Sequence, residues 1–256
     1  MINTLPRGVQ FFLYFWDIMR IISTVPSLTE LLYDLGLRDE VVGITKFCIH
    51  PDIWYRSKTR IGGTKKLNIE KIVSLKPDLI IANKEENTKE EILSLSQDHK
   101  VHVTDIKSIE DNIDLIKTIS ELTQTEEKGQ ILMQEMRSFI HQSKKNNRKQ
   151  KVLYLIWQNP MMSVGRDTFI HSMIEYCGYH NILVDTNRYP EVTEADIQSY
   201  NPDVIMLSSE PFPFKESHMD YYKSILPNAK VILVDGEAFS WYGTRVLKKA
   251  DYLHSL

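Results

Sequence analysis

The chain has 256 residues, of which 42% are hydrophobic and 25% charged, and its formal net charge at pH 7 is -3. This composition is that of a globular protein with enough residues for one large core or two small ones. The lack of a basic excess argues against a nucleic-acid-binding surface, because such surfaces neutralise phosphates with Lys and Arg.

The N-terminus carries a short apolar run at residues 9–16, which follows Arg7 and is closed by Asp17. The run is far too short to span a bilayer. No small-residue cleavage site follows it, so it is not a convincing secretory signal. We expect an opening strand packed on the first half of the chain; a damaged export signal or a mis-assigned start is the alternative.

The next segments alternate between strand and helix. Residues 21–23 predict a short strand, and a helix beginning at Pro26 has apolar residues at helical spacing up to Gly36. Residues 41–44 predict a buried strand.

A repeat relates the two halves of the chain. Residues 69–82 (IEKIVSLKPDLIIA) and 195–207 (ADIQSYNPDVIML) each read as helix, Pro-Asp turn and buried strand. A further strand follows each copy, at residues 100–105 and 230–235, and residues 151–155 open the second half as residues 20–22 open the first. The pattern predicts an α/β fold of two like, Rossmann-like lobes with parallel sheets, and a ligand cleft between them.

Two helices are predicted between the repeats. Ser108 and Asp111 form a capping-box pattern for a helix to about Thr123, and Thr125 caps a second one from Glu126 to about Asn146. We interpret the second as a long connecting helix, with an N-terminal lobe at 1–122, the helix at 123–149 and a C-terminal lobe at 150–256. The alternative is a surface helix belonging wholly to the first lobe.

The loops that follow strands are the candidate ligand-binding segments, because ligands of open α/β sheets lie beyond the carboxyl ends of the strands. Five aromatic residues of the second half fall in such loops: Trp157, Phe212, Phe214, Trp241 and Tyr242. They predict a wall for a large, flat or apolar ligand; the alternative is that they cap the core of their own lobe.

The sequence offers little for catalysis or metal binding. Cys48 and His50 follow Lys46, but no second His, carboxylate at fixed spacing or oxyanion loop accompanies them. Cys48 and Cys177 form no CxxC motif, and we expect reduced thiols, with a disulfide between them as the alternative. Because GxGxxG, P-loop, HExxH and GxSxG motifs are also absent, we expect binding without catalysis, with no catalytic residue, metal or cofactor.

Several motifs in order carry a family resemblance. They are residues 20–32 (RIISTVPSLTELL), the Gly-Gly-Thr of 62–64, residues 68–72 (NIEKI) and residues 75–80 (LKPDLI). From about residue 20 onward the chain resembles the class III periplasmic binding proteins, the substrate receptors of ABC importers for vitamin B12, haem and ferric siderophores, and most of all the cobalamin-binding type. The resemblance implies two α/β lobes joined by one long helix, a small-molecule ligand held between them, export, and permease subunits as partners.

In the B12 receptors, aromatic side chains of both lobes clamp the corrin ring. Tyr189-Pro190 matches a clamp tryptophan that precedes a proline, Phe47 lies near a first-lobe aromatic, and Gly63-Thr64 stands where another is expected. The departure at Gly63-Thr64 leaves Trp157 and Trp241 to supply aromatic surface. The predicted ligand-binding residues are Phe47, Cys48, His50, Gly63, Thr64, Trp157, Met161, Arg188, Tyr189, Glu210, Phe212, Trp241 and Tyr242.

The resemblance also implies one acidic docking residue on each lobe. Glu70 matches the first, and Glu194, beside Ala195, is the candidate for the second. We expect a monomer that docks on the permease and binds no nucleic acid.

Two alternatives stay open. A haem or ferric-siderophore receptor of the same fold would use Tyr or His ligation or an arginine-rich cleft, for which Arg60, Arg166, Arg188 and Arg245 are the candidates. A two-lobed enzyme such as a nucleotide-dependent transferase would need a phosphate-binding glycine loop at a helix N-terminus, and no strong one is present. The family is extracytoplasmic, but without a convincing signal a cytoplasmic corrinoid or metal-complex binder is a variant of the same hypothesis.

Overall fold

The computed structural model describes residues 18–143 and 150–256, which form two α/β lobes around separate parallel sheets. The apolar run at 9–16 and the predicted end of the second connecting helix near Asn146 lie outside the described residues. The fold class predicted from the repeat is confirmed.

The first lobe contains a five-stranded sheet and a small hairpin. Its elements are β1 (Ile21–Ser23), α1 (Pro26–Asp34), β2 (Val41–Ile44), α2 (Asp52–Ser57), β3 (Thr59–Arg60), β4 (Gly62–Gly63), β5 (Lys66–Leu67), α3 (Ile69–Ser74), β6 (Leu79–Asn83), α4 (Lys89–Leu95) and β7 (Val101–Thr104). Two helices follow in the chain, α5 (Ile109–Leu122) and α6 (Glu126–Ser143). The sheet order is β3-β2-β1-β6-β7 with all neighbours parallel, and β4 pairs with β5 in the antiparallel hairpin.

The second lobe repeats this arrangement. Its elements are β8 (Lys151–Trp157), β9 (Met162–Ser163), α7 (Phe169–Tyr176), β10 (His180–Asn181), α8 (Glu194–Tyr200), β11 (Val204–Ser208), α9 (Glu216–Ile225), β12 (Lys230–Val234), α10 (Gly236–Ser240), α11 (Arg245–Lys248) and α12 (Ala250–Ser255). The order β10-β8-β11-β12 is parallel, and β9 adds to β8 in the antiparallel sense.

The Pro-Asp turn has the same structural role in each lobe. The residue before the proline, Lys76 or Asn201, adopts a left-handed conformation with φ of 47° or 46°, which ends the preceding helix. The aspartate then accepts a hydrogen bond from the backbone N–H that precedes or begins the opening strand: Asp78 from Arg20 at 2.7 Å and Asp203 from Lys151 at 2.8 Å. The turn therefore sets the register between the first strand of each lobe and its neighbour.

In chain order, the helices α5 and α6 lie between the last strand of the first sheet and the first strand of the second. Ser108 and Asp111 form the predicted capping box of α5, and α6 begins at Glu126 as predicted. α5 packs against α6. A single long connecting helix and the lobe boundaries 1–122, 123–149 and 150–256 stay predictions.

The lobes are joined at the base of the cleft by buried polar contacts. The Asn112 side chain on α5 exchanges hydrogen bonds with the backbone N–H and C=O of Gly243, whose φ is +75°. On α11, Arg245 lies 2.9 Å from the carboxylate of Glu30 in α1. One continuous apolar core runs through these contacts from β1 to β8. Within the two described ranges, no helix combines the length and apolarity needed to cross a bilayer.

Candidate ligand-binding site

A cavity of about 520 Å³ lies between the lobes. The start of α1 and the loops after β2 and β6 line it from the first lobe, and the start of α7, the loop after β11 and the turn after α10 line it from the second. The loops after β2, β6 and β11 lie at the carboxyl ends of parallel strands, where ligands of such sheets are expected. Six of the residues predicted from sequence line it: Phe47, Thr64, Tyr189, Glu210, Trp241 and Tyr242.

Aromatic rings face the cavity from both lobes. Phe47 of the first lobe is 50% exposed, which is unusual for a ring unless a partner covers it. Trp241 and Tyr242 of the second lobe are buried, at 8% and 5% exposed. Trp241 packs edge-on against His50 (ring centroids 5.5 Å apart) and Tyr242 against Phe169 (6.1 Å). These contacts fix two rings of the lining, whereas Phe47 is free to meet a ligand.

Three carboxylates also line the cavity: Glu85, Glu86 and Glu210. Glu210 Oε1 accepts hydrogen bonds from Ser240 Oγ (2.7 Å) and Trp241 Nε1 (2.8 Å), which fix its direction. Burial raises the pKa of Glu210, and burial raises the pKa of Glu86 to about 7. At neutral pH, Glu86 can therefore donate or accept a proton in a hydrogen bond.

A polar bridge crosses the cleft beside the cavity. Glu85, in the loop after β6, forms an ion pair with Arg188 and accepts a hydrogen bond from Tyr189 Oη at 2.8 Å. Burial and the charge of Glu85 both raise the pKa of Tyr189, so its hydroxyl stays a donor. A second bridge joins His50 Nε2 to Glu237 at 3.2 Å. These contacts join the two lobes at the cavity.

The other residues predicted to bind ligand do not line the cavity. His50 and Arg188 lie in the two bridges, and Gly63 lines a neighbouring groove. Cys48 is fully buried, and its thiol accepts a hydrogen bond from Thr29 Oγ1 at 3.0 Å. Burial raises its pKa, which leaves it a packed core thiol. Cys177 is also buried, and both cysteines are free.

Three predicted residues of the second lobe lie away from the cavity. Trp157 is 39% exposed and packs edge-on against Phe212 with centroids 5.7 Å apart. Met161 and Phe212 pack against the second lobe's own apolar cluster, which also contains Phe214. For Phe212 and Phe214 the alternative considered from sequence, that they cover the core of their lobe, describes the packing.

The docking candidates occupy related positions in the repeat. Glu70 lies in the first turn of α3 and Glu194 in the first turn of α8, and both are exposed. Tyr221 Oη donates a hydrogen bond to Glu194. Both carboxylates are therefore available on equivalent helices of the two lobes.

Sequence reasoning missed several residues of the site. Glu85 and Glu86 stand in a loop that was expected to bear ligand contacts, but nothing local distinguished them from solvated acids. Phe169 and Ile170 line the cavity from the start of α7, where apolar residues at helical spacing indicate only core packing. Across the described parts of the chain, no three His, Cys, Asp or Glu side chains are grouped closely enough to hold a metal ion.

The chain is similar to proteins of one family. The model of that family, described as periplasmic binding protein, matches residues 21–225. A vitamin B12-binding protein of Vibrio cholerae is 28% identical over 194 residues, covering 74% of this chain and 70% of the relative. An uncharacterized ABC transporter substrate-binding lipoprotein of Bacillus subtilis is 28% identical over 247 residues, covering 91% and 78%.

Solved structures share the fold. The periplasmic vitamin B12 binding protein of Vibrio cholerae superposes with a TM-score of 0.80 at 24% identity, covering 92% of this chain and 95% of that one. The periplasmic haem-binding protein of Vibrio cholerae also reaches 0.80, at 21% identity, covering 93% and 98%. At these identities the likeness establishes the architecture and does not distinguish between the two ligands.

Proposed function

Since the chain belongs to the periplasmic binding protein family, we propose that it is the substrate-binding protein of an ABC importer and holds a corrinoid between its lobes without transforming it. The observation that carries the ligand class is the cavity that combines aromatic rings from both lobes with Glu85, Glu86 and Glu210. A corrin ring is flat, and primary amides surround it. Rings cover its faces, and carboxylates accept hydrogen bonds from its amide N–H groups.

The charge of the cavity argues against the two alternative ligands. Haem carries propionates and many ferric siderophores carry net negative charge, and both would need cations around the ligand rather than only at one edge of the cavity, where Lys46 and Lys65 lie. Among the described residues, none of the four candidate arginines lines it. Arg188 is paired with Glu85, and Arg245 is buried between Glu30 and Glu237. Bringing an anion next to three carboxylates would be unfavourable.

The docking proposal rests on Glu70 and Glu194. Their exposure at equivalent helix starts fits two contacts with a permease made of two like subunits, one under each lobe. We expect arginines on the permease, because guanidinium groups bind carboxylates with two parallel hydrogen bonds. We also expect a monomer, and one ligand for each chain.

The test is a titration of the purified protein with cyanocobalamin, haemin and ferrichrome, followed by tryptophan fluorescence and repeated by calorimetry. We expect saturable one-to-one binding of cyanocobalamin alone. Trp241→Ala should weaken binding, whereas Trp157→Ala is the matched control, because Trp157 lies outside the cavity. Tight binding of haemin or ferrichrome, and none of cyanocobalamin, would replace the corrinoid with that ligand class; binding of none would reopen the enzyme alternative.

A further inference from the structure

A second depression adjoins the cavity and differs from it in charge. It has a volume of about 830 Å³ and lies along the β4–β5 hairpin and the start of α3. We call it the lysine groove, because Lys46, Lys65 and Lys66 line it. Phe47 and Thr64 line both the cavity and the lysine groove, so that the two spaces are continuous around these side chains.

Three exposed lysines, Lys46, Lys65 and Lys66, line the groove with one exposed carboxylate, Glu70, so its net charge is positive. In the described part of the chain none of them lies within 4.0 Å of a carboxylate. Lys46 Nζ lies 5.0 Å from the centre of the Phe47 ring, and Lys65 Nζ donates a hydrogen bond to the backbone carbonyl of Glu85 at the cavity edge. The ammonium groups of Lys46 and Lys65 are therefore at the boundary between the two spaces.

Gly63 allows this arrangement. A Cβ atom at this position would lie 3.2 Å from the Phe47 ring and 3.3 Å from Lys46 Cε, closer than most such contacts. Glycine therefore lets the aromatic ring and the lysine lie flat over the hairpin. This is the position where the B12 receptors are expected to carry an aromatic residue, so the lysine groove replaces an aromatic surface here.

Size and charge together point to an occupant. The cavity alone, at about 520 Å³, has the volume of a site for a drug-sized ligand, about 300–1,000 Å³. A complete corrinoid is larger, because a nucleotide tail extends from the ring, and the phosphodiester of that tail is its anionic group. The carboxylates of the cavity suit the amide rim, and the lysines of the adjoining groove suit the phosphodiester.

We propose, building on the corrinoid function proposed above, that the lysine groove binds the phosphodiester of the ligand's nucleotide tail through Lys46 and Lys65. The groove then makes the protein selective for complete corrinoids over those that lack the tail. Selection arises because the two ammonium groups, which have no carboxylate within 4.0 Å in the described part of the chain, gain a close ionic partner when the tail is present.

The test compares cyanocobalamin with dicyanocobinamide, a corrinoid without the nucleotide tail, by calorimetry. The proteins are the unmodified chain, the double variant Lys46→Gln/Lys65→Gln, and Lys100→Gln/Lys230→Gln as a control with the same change in net charge. Lys100 and Lys230 are exposed, just before β7 and at the start of β12, at the ends of the strands opposite the cavity. An exposed ion pair contributes up to about fivefold in affinity. We expect the double variant to bind cyanocobalamin about tenfold more weakly and dicyanocobinamide within about twofold of the unmodified chain.

The outcomes separate this inference from the function on which it rests. If the double variant binds both corrinoids as the unmodified chain does, or loses affinity for both equally, the tail site is refuted and the corrinoid function stands. If neither corrinoid binds the unmodified chain, both are refuted. High salt should reduce the loss of affinity for cyanocobalamin that the double variant shows, because salt screens exposed charges. A loss of affinity that does not depend on salt would also refute the ionic contact.

Discussion

The half-buried acid Glu86 makes the stability of this protein depend on pH in an unusual direction. Its pKa is about 7 in the folded chain, against an ordinary value of 4.5, because burial penalises the charged form. At about 1.4 kcal/mol for each pKa unit, ionisation costs the folded state at most about 3 kcal/mol. Glu86 is half-buried rather than enclosed, so solvent screening reduces this figure, and we expect about 1–3 kcal/mol.

The sign follows from proton uptake. Between pH 4.5 and about 7 the folded chain holds a proton on Glu86 that the unfolded chain has lost. The contribution of Glu86 to the free energy of unfolding therefore has its full value below pH 4.5, falls as the pH rises to about 7, and then levels off. Glu86→Gln removes the charge but keeps the shape and an acceptor for Tyr242 Oη, which lies 3.3 Å from Glu86 Oε1.

The assay is urea unfolding of the unmodified chain and of Glu86→Gln at several pH values from 4.5 to 8. We expect Glu86→Gln to be as stable as the unmodified chain near pH 4.5, and more stable than the unmodified chain by about 1–3 kcal/mol above pH 7.5. Glu135→Gln removes a carboxylate from an exposed position of α6 and is the control for a change in net charge. A stability difference for Glu86→Gln that stays constant across this range would refute the reasoning, since Glu86 would then titrate alike in the folded and unfolded chains.

Three further predictions concern the ligand, the permease and the base of the cleft. Trp241→Ala should weaken cyanocobalamin binding by about 30-fold in calorimetry, as expected for a central aromatic contact, and Trp157→Ala should leave it unchanged. Glu70→Gln should spare the affinity for cyanocobalamin and reduce capture of the protein by the detergent-solubilised permease. Arg245→Met should lower the free energy of unfolding in urea by about 3 kcal/mol, because it leaves the buried Glu30 carboxylate without its guanidinium partner.

Each of these has a clear contrary result. Equal losses of affinity in Trp241→Ala and Trp157→Ala would place ligand contacts outside the cavity. Undiminished capture of Glu70→Gln by the permease would remove the docking role of that carboxylate. If Arg245→Met leaves the free energy of unfolding unchanged, the prediction is wrong. Lys248, whose Nζ lies 2.9 Å from Glu30 Oε1, then compensates for the lost guanidinium group.

Much of the scaffold was readable from local patterns. The buried strands β6 and β11 each follow a helix and a Pro-Asp turn, and both turns end the helix and bond the opening strand in the same way. Such features depend on neighbours in sequence or on a single partner strand. Six of the predicted ligand-binding residues line the cavity. Phe47 and Glu210 stand in loops that directly follow β2 and β11, as the alternation of strand and helix indicated, whereas Trp241 and Tyr242 follow the short helix α10.

Neighbouring residues in the same loops nevertheless have different surroundings. Phe47 faces the cavity and Cys48 is packed in the core, although they are adjacent. Glu85 bridges to Arg188 across the cleft, while Glu86 accepts a hydrogen bond from Tyr242. A loop has no period of 2 or 3.6 residues from which the direction of a side chain can be read.

The sequence by itself therefore determined the two α/β lobes, the order of their elements and the loops that bear the site, because apolar periodicity and turn chemistry act over short distances. Only the tertiary structure decided which side chains meet across the cleft and where positive charge adjoins the cavity. These depend on how the lobes are joined by contacts such as Asn112 with Gly243, 131 positions apart, which no local pattern encodes.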